Sequence, residues 1–227
     1  MTQLAVPKTL TTDIRNGALP SVSFIDPRYI DVPPAWAAND DLPPANVCRG
    51  QQLVREIYQL LLEDPATWKR TLLVVTYDEH GGFFDHKAPA GLASSDNPQP
   101  QPRVHPDGPD HLGVRVPAFL VSPWINSGTV CTSLFDHTSL IKTILDRFAP
   151  ADFPVADVFG QRAAQANGLL SELKRPAARN DTPQAPRIEC DDPIGSPGAA
   201  LGLERDDFHT GMRLLGIPRR YRGRLVV

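Results

Sequence analysis

Residues 71–86 read TLLVVTYDEHGGFFDH and join two kinds of sequence. The first part, residues 71–77, is a continuous apolar and β-branched run, which is typical of a strand buried on both faces, as in a parallel sheet. This run leads directly into Asp78, Glu79 and His80. Open α/β sheets bind ligands at the carboxyl ends of their strands. The stretch therefore predicts a central strand and a ligand site at its end.

The sequence on either side predicts further helices and strands. Apolar residues recur at helical spacing across residues 50–63, and the Asp64-Pro65 pair ends that helix because proline cannot continue it. A second apolar run at 116–122 predicts another strand, and residues 137–148 predict a helix whose N-terminus Asp136 caps. This order of elements favours an α/β layered sheet.

The rest of the chain predicts less regular structure. Residues 21–44 predict a short strand that includes Val22 and Phe24, followed by an ordered loop. Residues 87–113 are rich in Pro, Asp, Asn and His and predict a surface excursion, a kind of segment that is often functional. Residues 149–227 predict an irregular Pro- and Arg-rich tail with one short helix at 206–215.

The composition excludes several classes of function. Hydrophobic residues make up 41% of the 227 residues, enough for a packed core, and the net charge of -3 gives no basic field that would attract nucleic acid. No apolar run is long enough to cross a membrane. Residues 1–13 lack the apolar region of a signal peptide. We therefore expect neither a nucleic-acid partner nor a transmembrane segment.

The three cysteines, Cys48, Cys131 and Cys190, lie far apart and form no CxxC pair. This spacing disfavours a zinc site or a thioredoxin-type redox site. One disulfide would be compatible with the sequence, but three free thiols is the expectation.

Asp78 and Glu79 are the first candidates for chemistry. Adjacent carboxylates repel one another unless a cation lies between them, and hard divalent ions prefer carboxylate oxygens. Gly81 and Gly82 would let the backbone approach a ligand or adopt positive φ. The residues alone leave two interpretations open: a metal site, or a turn that Asp78 caps while Glu79 is solvated.

The segment TYDEHGGFFDH resembles the signature of the bacterial phospholipase C/acid phosphatase family, within the alkaline phosphatase superfamily. The resemblance covers residues 19–148, in the order expected for the C-terminal half of such a catalytic domain. It leaves residues 1–18 as an N-terminal segment and 149–227 as the tail. The further matching segments are GALPSVSFIDP, WKRTLLVVTYDE, GVRVPAFLVSPWINSGTV and FDHTSLIKTILDRF. The resemblance implies part of an alkaline-phosphatase-like α/β/α sandwich.

The resemblance also implies a metal-dependent phosphoric-ester hydrolase that acts on a phosphate ester or a phospholipid head group. Asp78 and Glu79 would be ligands of a divalent metal ion of unknown identity. His80, Asp85 and His86 would be the candidate catalytic residues, orienting those ligands or contacting phosphate. For His86, a buried imidazole bonded to the backbone is an equally good interpretation. Family members are often exported to the periplasm or secreted, so the resemblance leaves the compartment of this chain open.

Two departures from the family's pattern predict an incomplete catalytic site. Leu42 stands where family members carry a histidine of the phosphate pocket, and losing one such donor typically costs about a hundredfold in rate. Nothing before residue 19 resembles the family's Asn-Arg-Ser-Phe-Asp motif or its hydroxyl nucleophile. The alternatives are an inactive homologue that binds metal or phosphate or acts as an interaction domain, or one half of a split enzyme. A related sulfatase or phosphomutase is disfavoured by GGFFDH.

A missing N-terminal half would also leave the edge of the strand at 71–77 unpaired. Unpaired apolar edges invite association with another chain. We therefore expect a partner chain, a homo-oligomer that covers the sheet edge, or poor solubility.

Other polar residues are weaker candidates for a site. Ser122 is interpreted as structural, and the Asp136–Ser139 segment is interpreted as a helix cap rather than a catalytic cluster. Loop histidines and aspartates can bind metal, but without regular spacing the signal is weak, and the basic C-terminal end is interpreted as solvated. These last candidates are His105, Asp107, Asp110, His111 and residues 213–224.

Overall fold

The computed structural model describes residues 8–31, 37–43, 45–89 and 112–190. These ranges contain both helices and strands, so the predicted mixture of the two is confirmed. In chain order the elements are α1 (Lys8–Arg15), α2 (Cys48–Glu63), α3 (Pro65–Trp68), β1 (Leu73–Thr76), β2 (Ala118–Val121), α4 (Thr138–Phe148), α5 (Val155–Gln165) and a 3₁₀ turn (Leu169–Glu172).

The chain divides into two compact units. Of the described residues, the first contains 25–31, 37–43, 45–56 and 186–190, and the second contains 8–24, 57–89 and 112–185. All five predicted site residues, from Asp78 to His86, belong to the second unit.

The helix predicted at residues 50–63 is confirmed as α2. Leu53, Ile57, Leu60 and Leu61 are buried, and their spacing places them on one face of the helix. The carboxylate of Asp64 then accepts hydrogen bonds from the amides of Ala66 and Thr67 at 3.0 and 3.1 Å. Asp64 thus caps α3, which begins at Pro65.

Both predicted strands are present, but the predicted parallel sheet buried on both faces is wrong. β1 and β2 pair antiparallel, with Leu73 opposite Val121 and Thr76 opposite Ala118. The residues of β1 are all half-buried, and Phe119 in β2 is 59% exposed. A short apolar run is compatible with either strand direction, because hydrophobic patterning alone does not identify the pairing partner.

The helix predicted at residues 137–148 is confirmed as α4, and α5 packs against it. α5 was not predicted, since residues 149–227 were expected to be an irregular tail. Gly160 adopts φ 82° and ψ 166° within α5 and interrupts the helical geometry. That interruption breaks the apolar periodicity by which a helix is recognised in sequence.

Some expectations fail or fall on residues that the structure does not describe. The short strand expected around Val22 and Phe24 is wrong: residues 21–31 contain no strand, and Phe24 is 80% exposed. An alternation of two apolar residues does not define a strand without a neighbour to pair with. Three predicted features lie outside the described residues: most of the excursion at 87–113 with His105 and His111, the helix at 206–215 and the basic end at 213–224.

The expectation of three free thiols is wrong. Cys48 and Cys190 form a disulfide with their Cα atoms 5.8 Å apart, and Cys131 is free and exposed. The two bonded cysteines are separated by 142 residues, so their spacing carried no sign of the pairing. In the same unit, Gln52 and Arg55 of α2 donate hydrogen bonds to the carbonyl oxygens of Ile188 and Pro186 at 3.1 and 2.6 Å.

Among the described residues, no helix combines the length and the apolar character that a membrane span requires.

Candidate functional site

Asp78 and Glu79 form a turn immediately after β1. Both residues are exposed, while His80 is half-buried. The amide of Glu79 donates to Oδ1 of Asp78 at 3.0 Å, and the amide of Gly81 donates to Oε2 of Glu79 at 2.7 Å. The capped turn that the residues alone allowed is therefore present. Each carboxylate uses one oxygen for its own backbone and keeps the other available to a ligand.

The turn continues through two glycines with left-handed backbone. Gly81 and Gly82 have φ values of 68° and 76°, which L-residues with a Cβ rarely adopt. Across them, the amide of Phe83 donates to the carbonyl oxygen of His80 at 3.2 Å, and Nδ1 of His80 lies 3.2 Å from the carbonyl oxygen of Phe83. Because a carbonyl oxygen only accepts, Nδ1 of His80 carries a proton.

Asp85 is held by a bidentate ion pair with Arg115. Nε and Nη2 of Arg115 lie 2.7 Å from Oδ2 and Oδ1 of the carboxylate, and the amide of Lys87 donates to Oδ1 at 3.0 Å. The hydrogen bonds from Arg115, with a smaller contribution from the Lys87 amide, hold the pKa of Asp85 well below its ordinary value. At neutral pH Asp85 is thus a carboxylate that orients its neighbours and has no proton to donate.

His86 extends outward beside Asp85. Its side chain is 87% exposed, and its Nδ1 lies 3.6 Å from Oδ1 of Asp85. The alternative of a buried imidazole bonded to the backbone is therefore wrong for His86.

The start of α4 contacts the end of β1. Nε2 of His137 lies 2.9 Å from the carbonyl oxygen of Tyr77, the residue between β1 and Asp78. Asp136 accepts a hydrogen bond from the amide of Thr138 at 2.7 Å and pairs with Arg162 at 2.8 Å. Burial alone would raise the pKa of Asp136, but the hydrogen bonds from Thr138 and Arg162 outweigh it and lower that pKa. The Asp136 carboxylate thus bonds the first amide of α4, as expected of a capping group, but α4 begins one residue later than predicted, so His137 and not Asp136 occupies the N-cap position.

The structure thus brings together residues that the sequence interpretation kept apart. Arg115 and His137 contact the predicted site from positions 30 and 60 residues away from their partners. The sequence predicts a strand for the segment directly after Arg115, and for Asp136–Ser139 it favours a helix cap over a catalytic cluster. The sequence of a strand gives no sign of which distant side chain will contact its end.

The site offers oxygen donors of the kind that hard divalent cations prefer. In the described part of the chain, no cluster of three or more His, Cys, Asp and Glu residues could hold a metal ion. Asp78 and Glu79 therefore fit a cation in donor chemistry, but two carboxylates are fewer than the ligands that such a site needs.

Comparison with known proteins assigns the part of the chain that contains this strand, turn and helix to a protein family. A model of the Phosphoesterase family matches residues 1–149, more than half of the chain. The chain belongs to the Phosphoesterase family, and the resemblance to phospholipase C proteins is confirmed.

Three relatives show how far the similarity reaches. The chain is 46% identical to non-specific phospholipase C6 of Arabidopsis thaliana over 147 residues, which are 60% of this chain and 28% of the relative. It is 39% identical to non-specific phospholipase C3 of Arabidopsis thaliana over 181 residues, 74% of this chain and 33% of the relative. It is 37% identical to non-hemolytic phospholipase C of Burkholderia pseudomallei over 151 residues, 61% of this chain and 20% of the relative. The chain thus spans between a fifth and a third of these relatives.

Proposed function

We propose that this chain takes part in the hydrolysis of a phosphoric ester, with a phosphate ester or a phospholipid head group as the substrate. The observation that carries the proposal is the exposed Asp78–Glu79 turn at the end of β1, in a chain of the Phosphoesterase family. The phospholipase C names of its relatives support the lipid head group as one substrate class.

Within this proposal, Asp78 and Glu79 are two ligands of a divalent cation. A cation bound there would polarise a phosphoryl oxygen and lower the pKa of an oxygen nucleophile. His80 keeps a proton on Nδ1 for the carbonyl of Phe83, so its Nε2 accepts a proton when the ring is neutral and donates one when it is charged. Asp85 and Arg115 hold the far end of the loop, beside His86.

The remaining parts of the catalytic site are proposed to come from other polypeptide. The relatives are three to five times longer than the segments that match this chain. We propose that a hydroxyl nucleophile and further cation ligands are contributed by that additional sequence, in the same protein or in a partner chain. The same sequence would complete an alkaline-phosphatase-like α/β/α sandwich around β1 and β2.

Hydrolysis of p-nitrophenyl phosphate and p-nitrophenyl phosphorylcholine, with and without added divalent cations, tests the activity. In the complete assembly we expect cation-dependent turnover that Asp78→Asn or Glu79→Gln lowers at least a hundredfold, roughly the effect of losing a group that stabilises developing charge. Asp152→Asn removes an exposed carboxylate outside the site and is the matched control. Equal loss of activity in all three variants would contradict the assignment.

A second candidate function is that of a binding module, which keeps the Asp78–Glu79 turn and binds metal or phosphate but does not catalyse hydrolysis. Leu42, half exposed, stands where the family's phosphate-pocket histidine is expected, and this favours the alternative for the chain on its own. Binding without catalysis predicts that Mn²⁺ raises the thermal unfolding midpoint of the wild type and not of Asp78→Asn, with no hydrolysis of either substrate. Turnover by the chain alone would reject this second function.

The disulfide supports a proposal about compartment. Disulfides persist in oxidising compartments and are rare in reducing ones, so the Cys48–Cys190 bond favours a protein that is exported. Native protein from the source cells in which Cys48 and Cys190 are both reduced would contradict this proposal.

A further inference from the structure

His137 contacts the backbone at the point from which the Asp78–Glu79 pair extends. Its Nε2 lies 2.9 Å from the carbonyl oxygen of Tyr77. Since a carbonyl only accepts, Nε2 carries the proton that it donates. The carbonyl of Tyr77 belongs to the peptide group whose nitrogen is that of Asp78. The imidazole therefore holds the peptide plane that sets the direction in which Asp78 leaves the strand.

The position of His137 is itself fixed by the residues on either side of it. Asp136 bonds the amide of Thr138 at 2.7 Å and Arg162 of α5 at 2.8 Å. The amide of Ser139 donates to the carbonyl oxygen of Asp136 at 2.9 Å, and Ser139 is 2% exposed. The backbone on both sides of the imidazole is thus tied to α4 and α5, and the exposed ring of His137 extends from that anchored backbone.

The hydrogen bonds within the turn cannot replace this contact. The bonds from Glu79 to Asp78 and from Gly81 to Glu79 join residues at most two apart. They set the shape of the turn but not its position in the folded unit. That position depends on long-range contacts: the pairing of β1 with β2 up to Thr76, His137 at Tyr77, and the pair between Arg115 and Asp85 at the downstream end, at 2.7 Å.

We propose that His137 is a positioning residue for the Asp78–Glu79 pair. It acts through the Tyr77 carbonyl, and it directs the two carboxylates toward the cation of the proposed function, on which this role rests. The proposal assigns a role to a histidine that helix capping by Asp136 leaves unexplained.

Two substitutions separate the donated hydrogen bond from the bulk of the ring. His137→Phe keeps a ring and removes the donor, whereas His137→Gln keeps a side-chain N–H. Thr138→Val is the matched control, because it removes the 2.5 Å hydroxyl bond to Asp136 at the same helix start and leaves the imidazole in place.

The first measurement is amide hydrogen exchange in the full chain without metal. His137→Phe is expected to speed exchange of the Glu79, Gly81 and Phe83 amides about fivefold or more, the usual effect of losing one hydrogen bond. His137→Gln and Thr138→Val should remain close to the wild type. Unchanged exchange in His137→Phe, no rescue by glutamine, or equal acceleration by Thr138→Val would each overturn the proposal.

The second measurement is Mn²⁺ binding by titration calorimetry, with the Asp78→Asn/Glu79→Gln double variant as the blank. We expect about tenfold weaker binding in His137→Phe and recovery in His137→Gln, as for other groups that orient metal ligands. Equal Mn²⁺ affinity in the wild type and His137→Phe would overturn the proposal. If the wild type binds no Mn²⁺ and exchange still shows the glutamine rescue, the cation of the proposed function fails while the positioning of the turn stands.

Discussion

At position 82, the backbone conformation alone accounts for the glycine. Gly82 has φ 76°, and a Cβ added there would meet no atom within 4 Å. An alanine at this position would therefore strain the backbone without clashing with any neighbour. We expect Gly82→Ala to lower the free energy of unfolding by about 1–2 kcal/mol. A Cβ at Gly113 would also meet no atom within 4 Å, but Gly113 does not have a positive φ. Gly113→Ala should therefore change the free energy of unfolding little. Urea denaturation measures both, and equal effects would contradict the argument.

The ion pair between Asp85 and Arg115 makes the stability of the folded protein depend on pH. The pKa of Asp85 is lower in the folded protein than the value of about 3.9 of a free aspartate. The ion pair therefore stabilises the fold fully at pH values above about 3.9. The stabilisation is lost as pH falls through the lower folded pKa. We therefore expect Asp85→Asn to destabilise the protein at pH 7, and the difference from the wild type to shrink below about pH 4.

Arg115→Lys tests the geometry of the same pair. Lysine keeps the charge but not the two parallel hydrogen bonds, so we expect Arg115→Lys to retain only part of the stability that the ion pair gives the wild type at pH 7. Thermal unfolding midpoints between pH 3 and pH 7 are the measurement. A difference between Asp85→Asn and the wild type that stays constant over that range would show that the ion pair is not the source.

For individual residues, the sequence predicts the polar turn but not the side chains that hold it. Asp78, Glu79 and His80 follow an apolar strand, and a strand end is a recognisable place for a site. Arg115 and His137 are distant in sequence and meet the turn only through the pairing of β1 with β2 and the placement of α4. Neither placement is encoded in the local pattern.

Among the elements, length and periodicity separate the predictions that succeeded from those that failed. α2 and α4 bury regular apolar faces and begin within two residues of their predicted starts. α1 has only eight residues, and its buried side chains Leu10 and Ile14 are too few to reveal a period. The antiparallel direction of β1 and β2 was missed because direction depends on the connection between strands.

The disulfide is the covalent link within the first unit. Cys48 begins α2, and Cys190 follows the segment whose carbonyl groups accept hydrogen bonds from Gln52 and Arg55. Replacing both cysteines by serine should destabilise the protein by about 2–5 kcal/mol in urea denaturation. Cys131→Ser changes a free, exposed thiol and should have no comparable effect.

Thiol titration checks the pairing independently. The native chain should react with one equivalent of a thiol reagent at Cys131, and the reduced and unfolded chain should react with three. Rapid reaction of three thiols in the native, unreduced protein would contradict the disulfide.

For the molecule as a unit, the two-stranded sheet offers a surface through which two chains could associate. Within the described residues β1 and β2 pair only with each other, and Phe119 in β2 is 59% exposed. Exposed apolar strands favour pairing with another chain, and charged side chains on such strands prevent it. We expect the chain alone to self-associate in a concentration-dependent way, as measured by light scattering. Phe119→Lys should shift the population toward monomer, because a lysine resists burial between two sheets.

Val130→Lys is the control for that substitution. Val130 is 86% exposed and lies outside both strands, so the same gain of charge there should leave the association unchanged. If both variants dissociate the oligomer into monomers, net charge rather than the strand surface governs association. A wild-type chain that stays monomeric at all concentrations would instead mean that the chain itself already protects the sheet. The need for another chain at β1 and β2 would then disappear, and the proposal that a partner chain completes the catalytic site would lose its structural support.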